Sequence, residues 1–338
     1  MVEQDGRLDI AALNDISSSM TNPAMWAQWR VTRRACARTI GAVIVVASTL
    51  SCSFGPAQKE ELLAYTHNRG ALTGISSTME PSRGRYQVYR IVLTSSTGIV
   101  ARGILMQPTP DTGHLPAVLL EDGREENSGA IERLPAEFGD VVVLSLDYPP
   151  SVPMRISLSE ALFHSDSLRT AAQRIPQMFS LGAVYLAQRG DVDTARIAIA
   201  ATSFAVPFAT IAAAADTRFR NVALIYGAGD LSAVLAANLD THPAWLRSPL
   251  AWLATRPFRS LSPERFIGAI APRPVVMVNG IDDPQMPVEA ARDLYNAARE
   301  PKTQIWLETG HLMPTDSALI RSLVDTALAR MPILARPR

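Results

Sequence analysis

The chain has 338 residues, 47% of them hydrophobic and 19% charged, which is the balance of a globular protein and not of a disordered one. Its 32 basic and 32 acidic side chains cancel, so no summed field draws it to nucleic acid or to an anionic membrane surface. Nucleic-acid binding is therefore set aside as a function.

The N-terminal fifty residues differ in kind from the rest. Arg30, Arg33, Arg34 and Arg38 precede an apolar segment, Thr39 to Leu50, that ends at Ser51-Cys52. A basic segment, a short apolar core and a small residue before a cysteine form the layout of a bacterial export signal. The apolar core falls short of the ~20 residues of a membrane-spanning helix. Leu50-Ser51-Cys52 resembles the end of a lipoprotein signal, which makes Cys52 the candidate lipidation site. Met25 would start a signal of ordinary length, and Arg33-Arg34 raises a twin-arginine signal as the alternative. Residues 1–52 are thus read as an extension with an export signal, which implies a periplasmic or cell-envelope protein. Cys36 and Cys52 are the only cysteines, so no disulfide framework is expected.

Residues 53–83 read as a linker and helix, and a regular alternation of strands and helices occupies 84–333. Tyr86 to Thr94 alternates at period two, Ser95 to Gly98 supplies turn residues, and Ile99 to Met106 forms the second arm of a hairpin. Ala117 to Leu120 and Val141 to Leu146 are continuous apolar runs, as expected for strands buried on both faces. Ser167 to Gln188 has apolar residues at spacings of three and four and predicts a long helix stopped by Gly190. Further strands are expected into Ser203, at Val222 to Tyr226, at Val275 to Asn279 and at Thr303 to Leu307. Helices are expected at 288–298 and 316–331. The hairpin followed by alternating β and α predicts a three-layer α/β fold. Its sheet has eight mostly parallel strands with helices on both faces, and a small apolar helical insert at about 228–270 precedes the late strands.

Ser203 ends the β-branched run Ile197-Ala198-Ile199-Ala200-Ala201-Thr202 and opens an alanine-rich helix. A nucleophilic serine on such a strand-to-helix turn is held at a strained, often positive φ. The residues two before and two after must then be small, and Ala201 and Ala205 stand there. In α/β sheets chemistry is placed at the carboxyl ends of strands. Past Val278-Asn279-Gly280 comes Asp282-Asp283-Pro284, and past Trp306-Leu307 comes Gly310-His311. The chain order is serine, aspartate, histidine.

In that order, and at those strand ends, the sequence resembles the α/β-hydrolase family, within it the dienelactone-hydrolase and acetyl-esterase-like group. The hairpin entry and the run Ala271 to Gly280 carry the closer likeness. The resemblance implies a serine esterase with Ser203 as nucleophile, His311 as base and Asp283, the aspartate before proline, as its orienting partner. It further implies an oxyanion hole from the backbone N–H of Phe204 and of a residue in the loop after Leu119-Leu120. Relatives often read His-Gly there, whereas this chain reads Glu121-Asp122-Gly123-Arg124, so the second donor falls on Arg124. The cluster Glu121, Asp122, Glu125 and Glu126 reads as a solvated loop, with substrate selection as the alternative.

No cofactor and no metal are expected: there is no glycine-rich phosphate loop, and His67, His114, His164 and His242 show no ligand spacing. Asp240-Thr241-His242 falls in the insert, whose Trp245, Trp252 and Phe258 predict either ordinary helix packing or a lid over an acyl pocket. The expected partner is a small-molecule ester, with membrane contact only through a lipid on Cys52. A peptidase or thioesterase on the same fold, or an inactive binding protein, remain the other readings.

Overall fold

The continuous apolar runs of the sequence form the centre of a single sheet in the computed structural model of the chain. The structure describes residues 55–109, 113–123, 131, 139–153, 158–241 and 243–311. The export pattern with Cys52, loop residues Arg124, Glu125 and Glu126, His242 and the helix expected at 316–331 lie outside the described residues. Everything described belongs to a unit running from 54 to 338.

Helix α1 (Lys59–Arg69) leads into strands β1 (Leu72–Arg83), β2 (Tyr86–Ser95) and β3 (Val100–Pro108), then β4 (Leu115–Glu121) and β5 (Val142–Leu146). Helices α2 (Leu158–Phe163) and α3 (Ser165–Gln188) precede β6 (Val192–Thr202), α4 (Val206–Ala215) and β7 (Asn221–Ile225). The insert carries α5 (Leu231–Asn238) and α6 (Arg247–Thr255) before β8 (Val275–Gly280), α7 (Val288–Ala297) and β9 (Lys302–Leu307). The sheet order is β1-β2-β3-β5-β4-β6-β7-β8-β9. β1, β2, β3 and β5 pair antiparallel, and from β5 through β9 every pairing is parallel.

The sheet therefore has nine strands among the described residues, not the expected eight. The added one is β1, which lies in the stretch read as linker. Its residues Leu72 to Arg83 are mostly exposed, because β1 is an edge strand covered on neither face along most of its length. Such a strand shows no apolar alternation, and Pro81 within it is tolerated where one side of the ladder faces solvent.

Strands β4, β5, β7 and β8 are buried along their whole length. They can be, because both sheet faces are covered by separate apolar clusters. On one face α3 is buried nearly all round from Ile175 to Leu186. Its Gly182 permits the approach: a Cβ there would lie 3.2 Å from Leu146 and 3.3 Å from Leu144. Helix α4 packs beside it with Pro207 in the first turn, where a missing N–H costs nothing. At the end of the sheet away from Ser203, buried Asp216 ties the layers together. It accepts from Ser180 and pairs with Arg69 at 3.2 Å and Arg218 at 3.0 Å. Asp230, at the start of the insert, caps α5 by accepting from the backbone N–H of Ser232 and Ala233. Among the described residues no helix is long and apolar enough to cross a membrane.

Candidate active site

Strand β6 delivers Ser203 at the carboxyl edge of the sheet. The chain turns there through one 3-10 turn, Ser203–Ala205, into α4. Ser203 takes φ 47°, a left-handed conformation that costs a non-glycine residue on the order of 1–3 kcal/mol. The fold imposes it because a buried strand must reverse into a buried helix within three residues. Ala201 and Ala205 are both fully buried; at these places a larger side chain would push strand and helix apart.

β8 and β9 run parallel, pairing Asn279 with Trp306 and Gly280 with Leu307. Their carboxyl ends therefore release Asp283 and His311 side by side. Nδ1 of His311 lies 2.7 Å from Oδ2 of Asp283, and Nε2 of His311 lies 3.4 Å from Oγ of Ser203. The Asp283 carboxylate is buried, and its other oxygen accepts from the backbone N–H of Gln285 at 2.8 Å and Met286 at 3.0 Å. Asp282 is exposed, and its backbone N–H donates to Thr309. Geometry thus brings Ser203, His311 and Asp283 together and leaves Asp282 out.

Gly280 is the residue that allows this juncture. A Cβ there would come 2.4 Å from the Thr309 carbonyl and 3.1 Å from that of Gly310. Tyr226, just past β7 at φ 53°, sets its ring edge-on to His311 at 5.3 Å and shares a hydrogen bond of 3.1 Å with Thr309. Sequence reading assigned Tyr226 only to a strand; its position one residue beyond an all-apolar run was the available signal.

The loop after β4 departs from the solvated reading. Glu121 is fully buried, paired in register with Ala201 two residues before the serine. Its Oε1 accepts from the Leu146 N–H at 3.0 Å, and its Oε2 is buried without a partner. Burial pushes the Glu121 carboxyl well above the usual carboxylate range, Leu146 draws it part of the way back, and Asp147 and Asp122 raise it. Asp122 is half-buried and accepts from the Thr202 hydroxyl and from the Gly123 N–H. Tyr148 donates to the Asp122 carbonyl and packs edge-on against Phe204 at 5.4 Å. Asp122 and Tyr148 therefore link the β4 loop to the serine turn. Parallel β4 continues one residue further than its apolar run, so the first acidic residue stays inside the sheet.

Phe204 follows the serine, its ring half-buried between Tyr148 and Phe208. Arg124 lies outside the described residues. Beside Ser203 opens a cavity of about 450 Å³, walled by α3, α4, the insert and the loop after Asp283. Phe258 of the insert lines it, whereas Trp245 points to solvent at 72% exposure. Among the described residues no group of three or more His, Cys, Asp or Glu side chains is gathered to hold a metal ion.

Comparison with family models finds no match, and comparison with curated proteins finds none. Solved structures do match. An acetyl xylan esterase 1 from Thermoanaerobacterium sp. JW/SL YS485 is 16% identical, with 80% of this chain and 96% of that chain covered and a TM-score of 0.61. An acetyl xylan esterase from Paenibacillus sp. R4 is 15% identical over the same shares, with a TM-score of 0.58. The chain has the α/β-hydrolase fold. Within it, the serine turn and the ends of β8 and β9 bring Ser203, Asp283 and His311 to one edge of the sheet.

Proposed function

We propose that the protein is a serine hydrolase that cleaves carboxylic esters through Ser203, His311 and Asp283. The observation that carries this reading is the continuous contact from Ser203 Oγ to His311 Nε2 and from His311 Nδ1 to the buried Asp283 carboxylate. A carboxylate only accepts, so it holds the imidazole proton on Nδ1 and leaves Nε2 free to take the serine proton. The 3.4 Å separation at Ser203 is loose for a hydrogen bond, as in many substrate-free sites, and closes when substrate is seated.

In the forward half-reaction Ser203 Oγ attacks the ester carbonyl and its proton passes to His311. Charge developing on the carbonyl oxygen is met by the Phe204 N–H, with Arg124 as the proposed second donor. Collapse expels the alkoxide, which takes the proton from His311, and water repeats the sequence on the acyl-enzyme. The apolar cavity beside the serine favours an ester over a peptide, whose backbone groups would need polar partners there. A cell-envelope location, with Cys52 lipidated, is proposed on the pattern of residues 30–52 alone; mass spectrometry of the mature N-terminus tests it.

Steady-state hydrolysis of a p-nitrophenyl ester tests the roles. His311→Ala and Asp283→Asn are expected to lower kcat by about 10⁴, as loss of base or tautomer does elsewhere, with unchanged circular dichroism. Asp282→Asn leaves kcat within a few-fold of the parent. If Asp282→Asn proves the more damaging of the two aspartate changes, the assignment fails.

A further inference from the structure

The two solved structures named above are acetyl xylan esterases, yet the cavity beside Ser203 is far larger than an acetyl group and is lined to suit a different chain. Measured against the ~30 Å³ that one water takes in the liquid, 450 Å³ has room for about fifteen heavy atoms. Leu168, Phe204, Phe208, Leu235, Phe258 and Leu261 give it apolar walls, and no charged side chain lines it among the described residues.

Besides Ser203 the lining holds three polar side chains among the described residues, Asn238, Thr255 and Gln285, and the first two are spent within the protein. Asn238 commits both amide hydrogens, to the carbonyls of Val234 at 2.8 Å and Gln285 at 2.9 Å. Thr255 gives its hydroxyl hydrogen to the Ala251 carbonyl at 2.8 Å. Sugar hydroxyls or a carboxylate placed here would lose water and gain few partners.

The side of the serine also matters. Ser203 lines the cavity and His311 does not. The leaving alkoxide has to depart within reach of His311 Nε2 to receive its proton. The group seated in the cavity is therefore the acyl chain, with the leaving alcohol on the histidine side. Resting on the hydrolase reading above, we propose that the substrates are esters of medium-length aliphatic acids, with acyl chains of about six to ten carbons held in this cavity.

The test uses the full chain with p-nitrophenyl esters from acetate to dodecanoate. Each buried methylene is worth about a fourfold gain in kcat/KM. Octanoate should therefore exceed acetate by up to about four-thousandfold over its six extra methylenes, with a fall beyond decanoate. Ala172→Phe and Leu235→Trp, which fill the cavity from α3 and from α5, should each lower the octanoate-to-acetate ratio at least tenfold. A second arm needs no turnover: Ser203→Ala should bind octanamide at least a hundredfold more tightly than acetamide by calorimetry. Active enzyme that prefers acetate, or a flat chain-length profile, overturns the inference and leaves the hydrolase reading intact. Absence of turnover with octanamide still bound preferentially overturns the hydrolase reading and keeps the chain-binding cavity. Absence of both overturns both.

Discussion

Glu121→Gln gives a stability prediction whose sign follows from the buried carboxyl beside the serine turn. With no exposure, an unpartnered Oε2 and two acidic neighbours, Glu121 keeps its proton in the folded protein to a pH well above the usual carboxylate range. In the unfolded chain it titrates near its ordinary value of 4.5. Folding then binds a proton at every pH between those two values. The stability this group contributes is fully present below about 4.5 and is lost as pH rises toward the folded value. One proton gives a slope of at most ~1.4 kcal/mol per pH unit within that window. At roughly 2–4 °C per kcal/mol for a large domain, that is at most about 3–6 °C in Tm per pH unit. Glutamine keeps the acceptor for the Leu146 N–H and cannot ionise, so Glu121→Gln lacks this slope. The assay is Tm of parent and variant from pH 4.5 to 8. Other titrating groups cancel in the difference, and the variant should gain on the parent steadily as pH rises. A Tm difference that does not change with pH would refute a buried Glu121 whose carboxyl is raised on folding.

Two further outcomes follow from the same packing. Gly280→Ala places a methyl 2.4 Å from the Thr309 carbonyl, so the segment carrying His311 must move. A misplacement near 1 Å costs about a hundredfold in kcat, and kcat should fall to that extent while the circular dichroism spectrum stays that of the parent. Asp216→Ala removes the acceptor shared by Arg69, Ser180 and Arg218. Breaking such a buried pair should cost about 3–5 kcal/mol in denaturant unfolding, with kcat per folded molecule unchanged.

Much of the site was legible because β6 and β8 are parallel strands whose buried stretches write themselves as apolar runs, and the parallel edge strand β9 still ends in Ile305-Trp306-Leu307. The residues just past such runs are then the ones that reach the carboxyl edge, which is how Ser203, Asp283 and His311 could be singled out at long separation. Choosing Asp283 over Asp282 rested on the resemblance, and the structure supplies the physical difference: one carboxylate is buried on two backbone donors, the other is exposed. β1 was illegible because an edge strand with exposed faces carries no period. Glu121 was misread because an acidic string looks alike in solvent and inside a sheet; only the register with β6 distinguishes them. Of the cavity only the insert's share was legible, as one of two readings of Phe258; the other walls come from segments spread between Val152 and Met286.

The central claim is that Ser203 is a nucleophile activated by His311. The most direct measurement is labelling of the full chain by an alkyl fluorophosphonate, located by peptide mass spectrometry. Labelling on Ser203 alone is expected, with loss of adduct in Ser203→Ala and strong slowing in His311→Ala. An intact protein that takes no label, or a label that persists in Ser203→Ala, would contradict the account.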